Sequence, residues 1–207
     1  MTTRSASILK PLVFCASLMP VVYLLWQVYL TVSGQTNVLG ADPAKTVVQF
    51  NGEWALRFML LTLAVTPLRL LLGWVELARV RRMLGLFAFG YALTHFGTYL
   101  ALILEFEFSE LGAEILKRPF ILAGFAALCC LVPLALTSNH LMMRLMKRRW
   151  RLLHQLVYPI AMLQIIHLFW LTRSDYAEPI AYSVVFALLM AYRFIRWRQR
   201  QSGMAQA

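Results

Sequence analysis

Residues 148–171 read RRWRLLHQLVYPIAMLQIIHLFWL, a basic head followed by an apolar run that holds two histidines and a proline but no acid. A helix of roughly 20 apolar residues crosses the hydrocarbon core of a bilayer. Arginines crowded at one end mark that end as cytoplasmic, because basic residues resist translocation. Imidazoles inside such a run are expensive, so by default they signal function. This one stretch therefore poses the fold and the chemistry together.

Working outward, the same character recurs. The chain has 207 residues, 60% of them hydrophobic and 14% charged, with mean hydropathy +0.66. Soluble domains run about 45–50% apolar and about 25% charged. A chain this short cannot hide such an excess in one aqueous core. Six spans follow: Ile8 to Val32, Trp54 to Trp74, Met83 to Leu104, Phe120 to Leu136, Trp150 to Leu171 and Ile180 to Trp197. Turn-formers fill the connectors: Ser33-Gly34, Gly40-Ala41-Asp42-Pro43, Asn51-Gly52, Ser109 to Gly112, Ser138-Asn139 and Arg173 to Pro179. No connector is long enough for a second domain, and no tandem repeat is evident. The expectation is a single domain over residues 1–207, an all-α integral membrane six-helix bundle.

Charge sets the orientation. One side carries Arg4, Lys10, Arg69, Arg79, Arg81, Arg82, Arg144, Lys147, Arg148, Arg149, Arg151, Arg193, Arg196, Arg198 and Arg200, against Lys45, Arg57, Lys117, Arg118 and Arg173 on the other. Acids split the opposite way, with only Glu76 on the basic side. Both termini are then cytoplasmic. The net charge of +11 reads as membrane orientation and lipid-headgroup contact, not as a nucleic-acid surface. Cys15, Cys129 and Cys130 lie in apolar runs with no metal or haem-attachment spacing.

Three histidines fall inside the spans, namely His95, His154 and His167, while His140 lies in a basic connector. For one membrane histidine, an interhelical hydrogen bond is an even rival. Three on two helices shift the balance toward a cofactor. His154 and His167 are about 20 Å apart along a helix at 1.5 Å per residue, too far to share one small ion. Thirteen residues also turn their side chains about 140° apart on an ideal helix, with Pro159 between them. The spacing suits porphyrins clamped between helices by axial imidazoles. Counted from the cytoplasmic ends, His95 is about 18 Å deep, His167 about 25 Å and His154 about 6 Å. His95 and His167 are thus the better pair of axial ligands to a haem iron, in the outer half of the membrane. Two imidazoles on one iron leave no open position, which favours electron transfer over oxygen chemistry. There is no dinucleotide fingerprint or P-loop, so electrons must come from another protein or from quinol.

The motifs also resemble a known family. Gly40-Ala41-Asp42-Pro43, Thr66-Pro67-Leu68, Arg81-Arg82-Met83-Leu84-Gly85-Leu86 with Tyr91 and His95, Arg118-Pro119, Thr137-Ser138, Trp150-x-x-Leu153-His154-x-x-Val157-Tyr158 and His167-x-x-Trp170 resemble the MsrQ (YedZ) family, distant relatives of the ferric-reductase and NADPH-oxidase membrane domains. The resemblance runs nearly end to end. It implies a multi-pass b-type cytochrome of the bacterial inner membrane, with one or two haems b on His95, His154 and His167, and FMN as a further cofactor. No motif assigns residues to FMN. The implied partner is a periplasmic molybdopterin-containing methionine-sulfoxide reductase that performs the catalysis and repairs oxidised envelope proteins. The implied donor is the quinone pool or a cytosolic flavin reductase. The third span holds one histidine where the oxidase relatives have two. The competing readings are a self-standing ferric or oxygen reductase and, less favoured, a small proton-coupled transporter.

Overall fold

Asp42 and Pro43 start the longest buried helix. The Asp42 carboxylate accepts from the Lys45 amide at 3.0 Å, and Pro43 occupies the first helical turn, where its missing N–H costs nothing. The helix then runs unbroken to Leu72 and stops at Gly73, whose φ of 65° is the left-handed cap that glycine adopts without strain. Asn51-Gly52 is therefore not a turn. It sits in mid-helix, with Asn51 fully buried and its amide nitrogen bonded back to the Val47 carbonyl at 2.9 Å.

The computed structural model describes residues 3–35 and 38–204. Residues 1–2, 36–37 and 205–207, which the single-domain reading includes, lie outside the described residues. The described chain is all-helical: α1 (Thr3–Val32), α2 (Pro43–Leu72), α3 (Arg81–Leu102), α4 (Phe108–Lys117), α5 (Pro119–Leu136), α6 (His140–Met146), α7 (Arg148–Leu153), α8 (Val157–Leu171) and α9 (Ala177–Met204). Short 3₁₀ turns cover Val75–Arg79 and His154–Leu156. The second joins α7 to α8. Pro159 has no amide for the Gln155 carbonyl and its ring crowds that carbonyl, so the chain tightens there.

Five segments are long and apolar enough to cross a membrane: α1 from Ile8, α2, α5, the α7–α8 unit and α9 to Ser202. The third expected span, α3, has 22 residues but is not among them, because Tyr91, Thr94, His95, Thr98 and Tyr99 dilute its apolar character. The stretch from Ser109 to Gly112, expected to be a connector, lies within α4.

α2, α3, α5 and α8 enclose the core. Phe58, Met59, Leu63, Ala88, Tyr91, Ala127, Leu131, Ile160 and Ala161 are all buried in one cluster. Small residues at these contacts let the helices approach closely, which is how helices associate where no aqueous driving force exists. Half of the apolar window of α2 is buried, against 6% of that of α9 and 17% of that of α1. α1 and α9 are therefore the rim, and their exposed leucines, valines and aromatics face outward for a lipid solvent.

Polar tethers fasten the rim to the core. The Arg193 guanidinium reaches from α9 to the Leu63 carbonyl of α2 and lies 5.5 Å over the Tyr158 ring. Arg57 of α2 pairs with Glu53 at 2.8 Å and donates to the Tyr182 hydroxyl of α9 at 2.8 Å. Tyr91 donates from α3 to the Ser17 carbonyl of α1 at 2.9 Å. Tyr91→Phe removes only this last bond. Its expected cost is about 0.6 kcal/mol, with a ceiling near about 1.7 kcal/mol for interhelical bonds in lipid, measurable as a small drop in thermal stability in detergent.

Candidate functional site

His95 projects from α3 toward α2, and His167 from α8 toward α5. Each imidazole is held by the neighbouring helix in the same way. The Nδ1–H of His95 donates to the Val48 carbonyl at 2.8 Å, and that of His167 donates to the Phe120 carbonyl at 2.5 Å. A carbonyl only accepts, so Nδ1 carries the proton and Nε2 keeps its lone pair in each neutral ring. One helical turn beyond each acceptor lies a glycine, Gly52 or Gly124, against which the ring packs.

The two arrangements are copies of each other. A shift of 72 positions carries residue 48 onto 120, 52 onto 124 and 95 onto 167. The same shift also carries several buried positions onto buried positions, matching Asn51 with Ala123, Ala55 with Ala127, Met59 with Leu131 and Ala88 with Ile160. The residue identities hardly repeat, which is why no repeat is visible in the sequence. The α2–α3 and α5–α8 pairs are two renderings of one hairpin, and their histidines meet where the hairpins face.

They meet closely. The ring centres of His95 and His167 are 6.0 Å apart, and the planes stand at 84°. An iron held at about 2 Å by each imidazole nitrogen, with each nitrogen roughly 1.1 Å from its ring centre, puts the centres about 6 Å apart. The donor set also fits: two neutral imidazoles present unprotonated Nε2 atoms, and each Nδ1–H is engaged by a backbone carbonyl. The residues present therefore fit bis-imidazole ligation of a haem. Among the described residues no group of three or more His, Cys, Asp or Glu side chains could hold a metal ion, so a compact three- or four-ligand zinc-type site has no basis here.

His154 stands apart from this pair. Its Nδ1 meets the Trp150 carbonyl of its own helix at 3.1 Å, and its Nε2 is 3.5 Å from the Ser138 hydroxyl. Its ring stacks on the Trp150 indole at 3.9 Å, and the indole N–H donates to the Thr137 carbonyl at 3.0 Å. The shift of 72 positions pairs residue 154 with Arg82, so the repeat supplies no second imidazole opposite it. His140 is exposed at the start of α6. Cys15 and Cys129 are exposed free thiols, and Cys130 is partly buried.

Sequence reasoning missed Gly52 and Gly124. Asn-Gly is a strong turn signal that disguises Gly52 in mid-helix, and Gly124 is inconspicuous in an apolar run. The signal that would have found them is the equal spacing from glycine to histidine in both hairpins.

Comparison with known proteins identifies the family of the chain. Residues 51–165 match the family described as the ferric reductase like transmembrane component. The chain is 44% identical over 206 residues to the protein-methionine-sulfoxide reductase heme-binding subunit MsrQ of Xanthomonas oryzae pv. oryzae (strain MAFF 311018), covering 100% of this chain and 94% of the relative. The protein of the same name from Xanthomonas euvesicatoria pv. vesicatoria (strain 85-10) is 46% identical over 192 residues, 93% of this chain and 88% of its own. That of Herminiimonas arsenicoxydans is 42% identical over 205 residues, 97% and 91% respectively. No solved structure matches. With identity of this order over nearly the whole of both chains, the protein belongs to the MsrQ family and carries its ferric reductase-like transmembrane component.

Proposed function

We propose that this protein is the b-type cytochrome subunit of a protein-methionine-sulfoxide reductase system, passing single electrons across the bacterial inner membrane to a periplasmic molybdopterin enzyme that reduces methionine sulfoxide. The observation that carries this reading is the pair His95 and His167, facing each other at 6.0 Å with both Nδ1 atoms tied to backbone carbonyls. The relatives are heme-binding subunits by name, which supports the same cofactor and partner here.

When bound, haem b supplies a one-electron Fe(III)/Fe(II) couple. His95 and His167 would hold the haem iron through their Nε2 atoms, a ligand pair that would suit electron transfer and not substrate binding at the metal. The Val48 and Phe120 carbonyls keep each ring in the tautomer that presents Nε2. His154, near the basic face with Arg81 and Tyr158 nearby, is the ligand available to a second haem or the residue nearest the donor, either the quinone pool or a cytosolic flavin reductase. FMN stays without assigned residues.

In this reading α3 is the sixth span. Its 22 residues extend about 33 Å at 1.5 Å per residue, enough for a hydrocarbon core of about 30 Å. Its polar residues Tyr91, Thr94, His95 and Thr98 are tolerated because each is hydrogen-bonded to a backbone carbonyl. Both termini are cytoplasmic, and residues 1–207 act as one domain.

Visible spectroscopy of the protein purified from haem-replete cells tests the reading. A sharp Soret band with resolved α and β bands on reduction is expected, together with co-purification of a periplasmic molybdoprotein. A colourless preparation overturns it.

A further inference from the structure

Gly52 and Gly124 are not interchangeable with the other helical glycines. A Cβ built on Gly124 would lie 2.8 Å from His167 Nδ1, 3.0 Å from Cε1 and 3.3 Å from Cγ. On Gly52 it would lie 2.9, 3.0 and 3.5 Å from the same atoms of His95. Real side chains do not approach this closely, so the ring must move if either glycine gains a methyl. Elsewhere in the helices, a Cβ on Gly90, Gly97 or Gly112 meets nothing within 4 Å, and one on Gly85 makes only ordinary contact with Thr62 at 3.6 Å. Among these helical glycines, the two forbidding contacts both fall on the facing imidazoles.

The consequence is electronic as well as steric. The acceptors Val48 and Phe120 precede the glycines by one turn, so their carbonyls already point along the helix toward the Gly52 and Gly124 amides. An imidazole reaches such a carbonyl from the side only where the next turn carries no side chain. The Nδ1 of His154 faces no carbonyl of a neighbouring helix and meets the Trp150 carbonyl of its own segment instead. A ring N–H that donates to a carbonyl makes the opposite nitrogen a stronger donor to metal. Stronger donation favours ferric over ferrous iron.

We propose that Gly52 and Gly124 are positioning residues, a matched pair of platforms that fix the rotation of the axial imidazoles and hold the haem potential low through the Nδ1–carbonyl bonds. The proposal rests on the bis-histidine reading above. The pair acts symmetrically, because the two hairpins present the same construction.

The test uses the full-length protein in detergent, with redox titration and low-temperature EPR of the ferric state. Gly52→Ala and Gly124→Ala are expected to weaken haem retention by about 10–100-fold, the scale for losing an outer partner of a metal ligand. In the haem that remains, the midpoint potential rises in both variants, and the low-spin EPR signal changes its anisotropy as the near-perpendicular rings turn. Gly90→Ala and Gly97→Ala keep the wild-type potential and signal. Full haem occupancy with unchanged potential and EPR in both Gly52→Ala and Gly124→Ala overturns the proposal while leaving the haem reading intact. A wild-type protein without low-spin haem sinks the reading itself. Should the glycine variants retain no haem, a double-mutant cycle decides. The loss of thermal stability caused by Gly52→Ala vanishes in a His95→Ala background if the clash is with the imidazole. It persists there if Gly52 serves only helix packing, and the proposal then fails.

Discussion

Replacing His167 by alanine removes the low-spin haem spectrum from the purified protein, and His95→Ala does the same. The two rings face each other across 6.0 Å, so each is expected to supply one side of the same iron. Removing either leaves a ligand set that cannot saturate the metal. Haem content should fall by more than the roughly 10-fold that even an outer-shell loss inflicts. Because the ligands act as a unit, the His95→Ala/His167→Ala double variant should be no worse than either single one, a non-additivity characteristic of groups in direct contact. His154→Ala is the discriminating control. That ring is stacked on Trp150 with its Nδ1 on the Trp150 carbonyl and lies outside the facing pair, so the low-spin signal of that pair should survive its loss. A haemochrome assay and a reduced-minus-oxidised spectrum on the three variants check this. Retention of the wild-type signal in His167→Ala would contradict the assigned pair.

Much of the fold is legible in the sequence because lipid imposes a length. Ile8 to Val32 ends where α1 ends, and Phe120 to Leu136 differs from α5 by one residue. What escaped is where local chemistry and tertiary context disagree. Asn51-Gly52 is strong turn chemistry, yet it lies inside α2 because a histidine 43 positions later needs a helix surface without a side chain. α4 escaped because its apolar residues, Phe108, Leu111, Ile115 and Leu116, alternate with glutamates and read as a loop when hydrophobicity is averaged. The nearness of His95 and His167 was legible through depth, since the third and fifth spans run the same way. Their hydrogen bonds were not, because a backbone carbonyl leaves no mark in the sequence. The repeat between the hairpins was hidden for a related reason. Packing conserves where a helix is buried and where it must be thin, and many residue types meet those demands.

The second large effect lies away from the histidines. Phe58 is 3% exposed and sits at the centre of an aromatic cluster, with ring centres 5.2 Å from Tyr91, 5.7 Å from Phe87 and 5.7 Å from Trp54. Phe87 in turn touches Phe14 of α1 at 5.5 Å, so one side chain ties α2 to α3 and, through it, to α1. In water, Phe→Ala costs about 3–5 kcal/mol. In lipid the transfer part of that cost disappears, because an unfolded helix still meets hydrocarbon. The cavity part remains: about 24 cal/mol per Å³ over roughly 100 Å³ gives about 2.4 kcal/mol. Stacked aromatic partners add about 0.5–1.5 kcal/mol for each pair lost. With the two stacked pairs lost, Phe58→Ala should therefore destabilise the protein by about 3.5–5.5 kcal/mol, whereas Phe58→Met, which fills most of the space and chiefly loses those pairs, should cost about 1–3 kcal/mol. Thermal unfolding in detergent, followed by helical circular dichroism, separates the two. The same variants report on how α2 and α3 cooperate: Gly52 is six residues from Phe58 on α2, about 9 Å away. Loosening the cluster should let α3 drift from α2, stretch the His95–Val48 bond and lower haem occupancy in proportion to lost stability. Equal stability of Phe58→Ala and wild type would mean that neighbouring side chains collapse into the space, and the aromatic cluster would then be filler and not the clamp between the two helices.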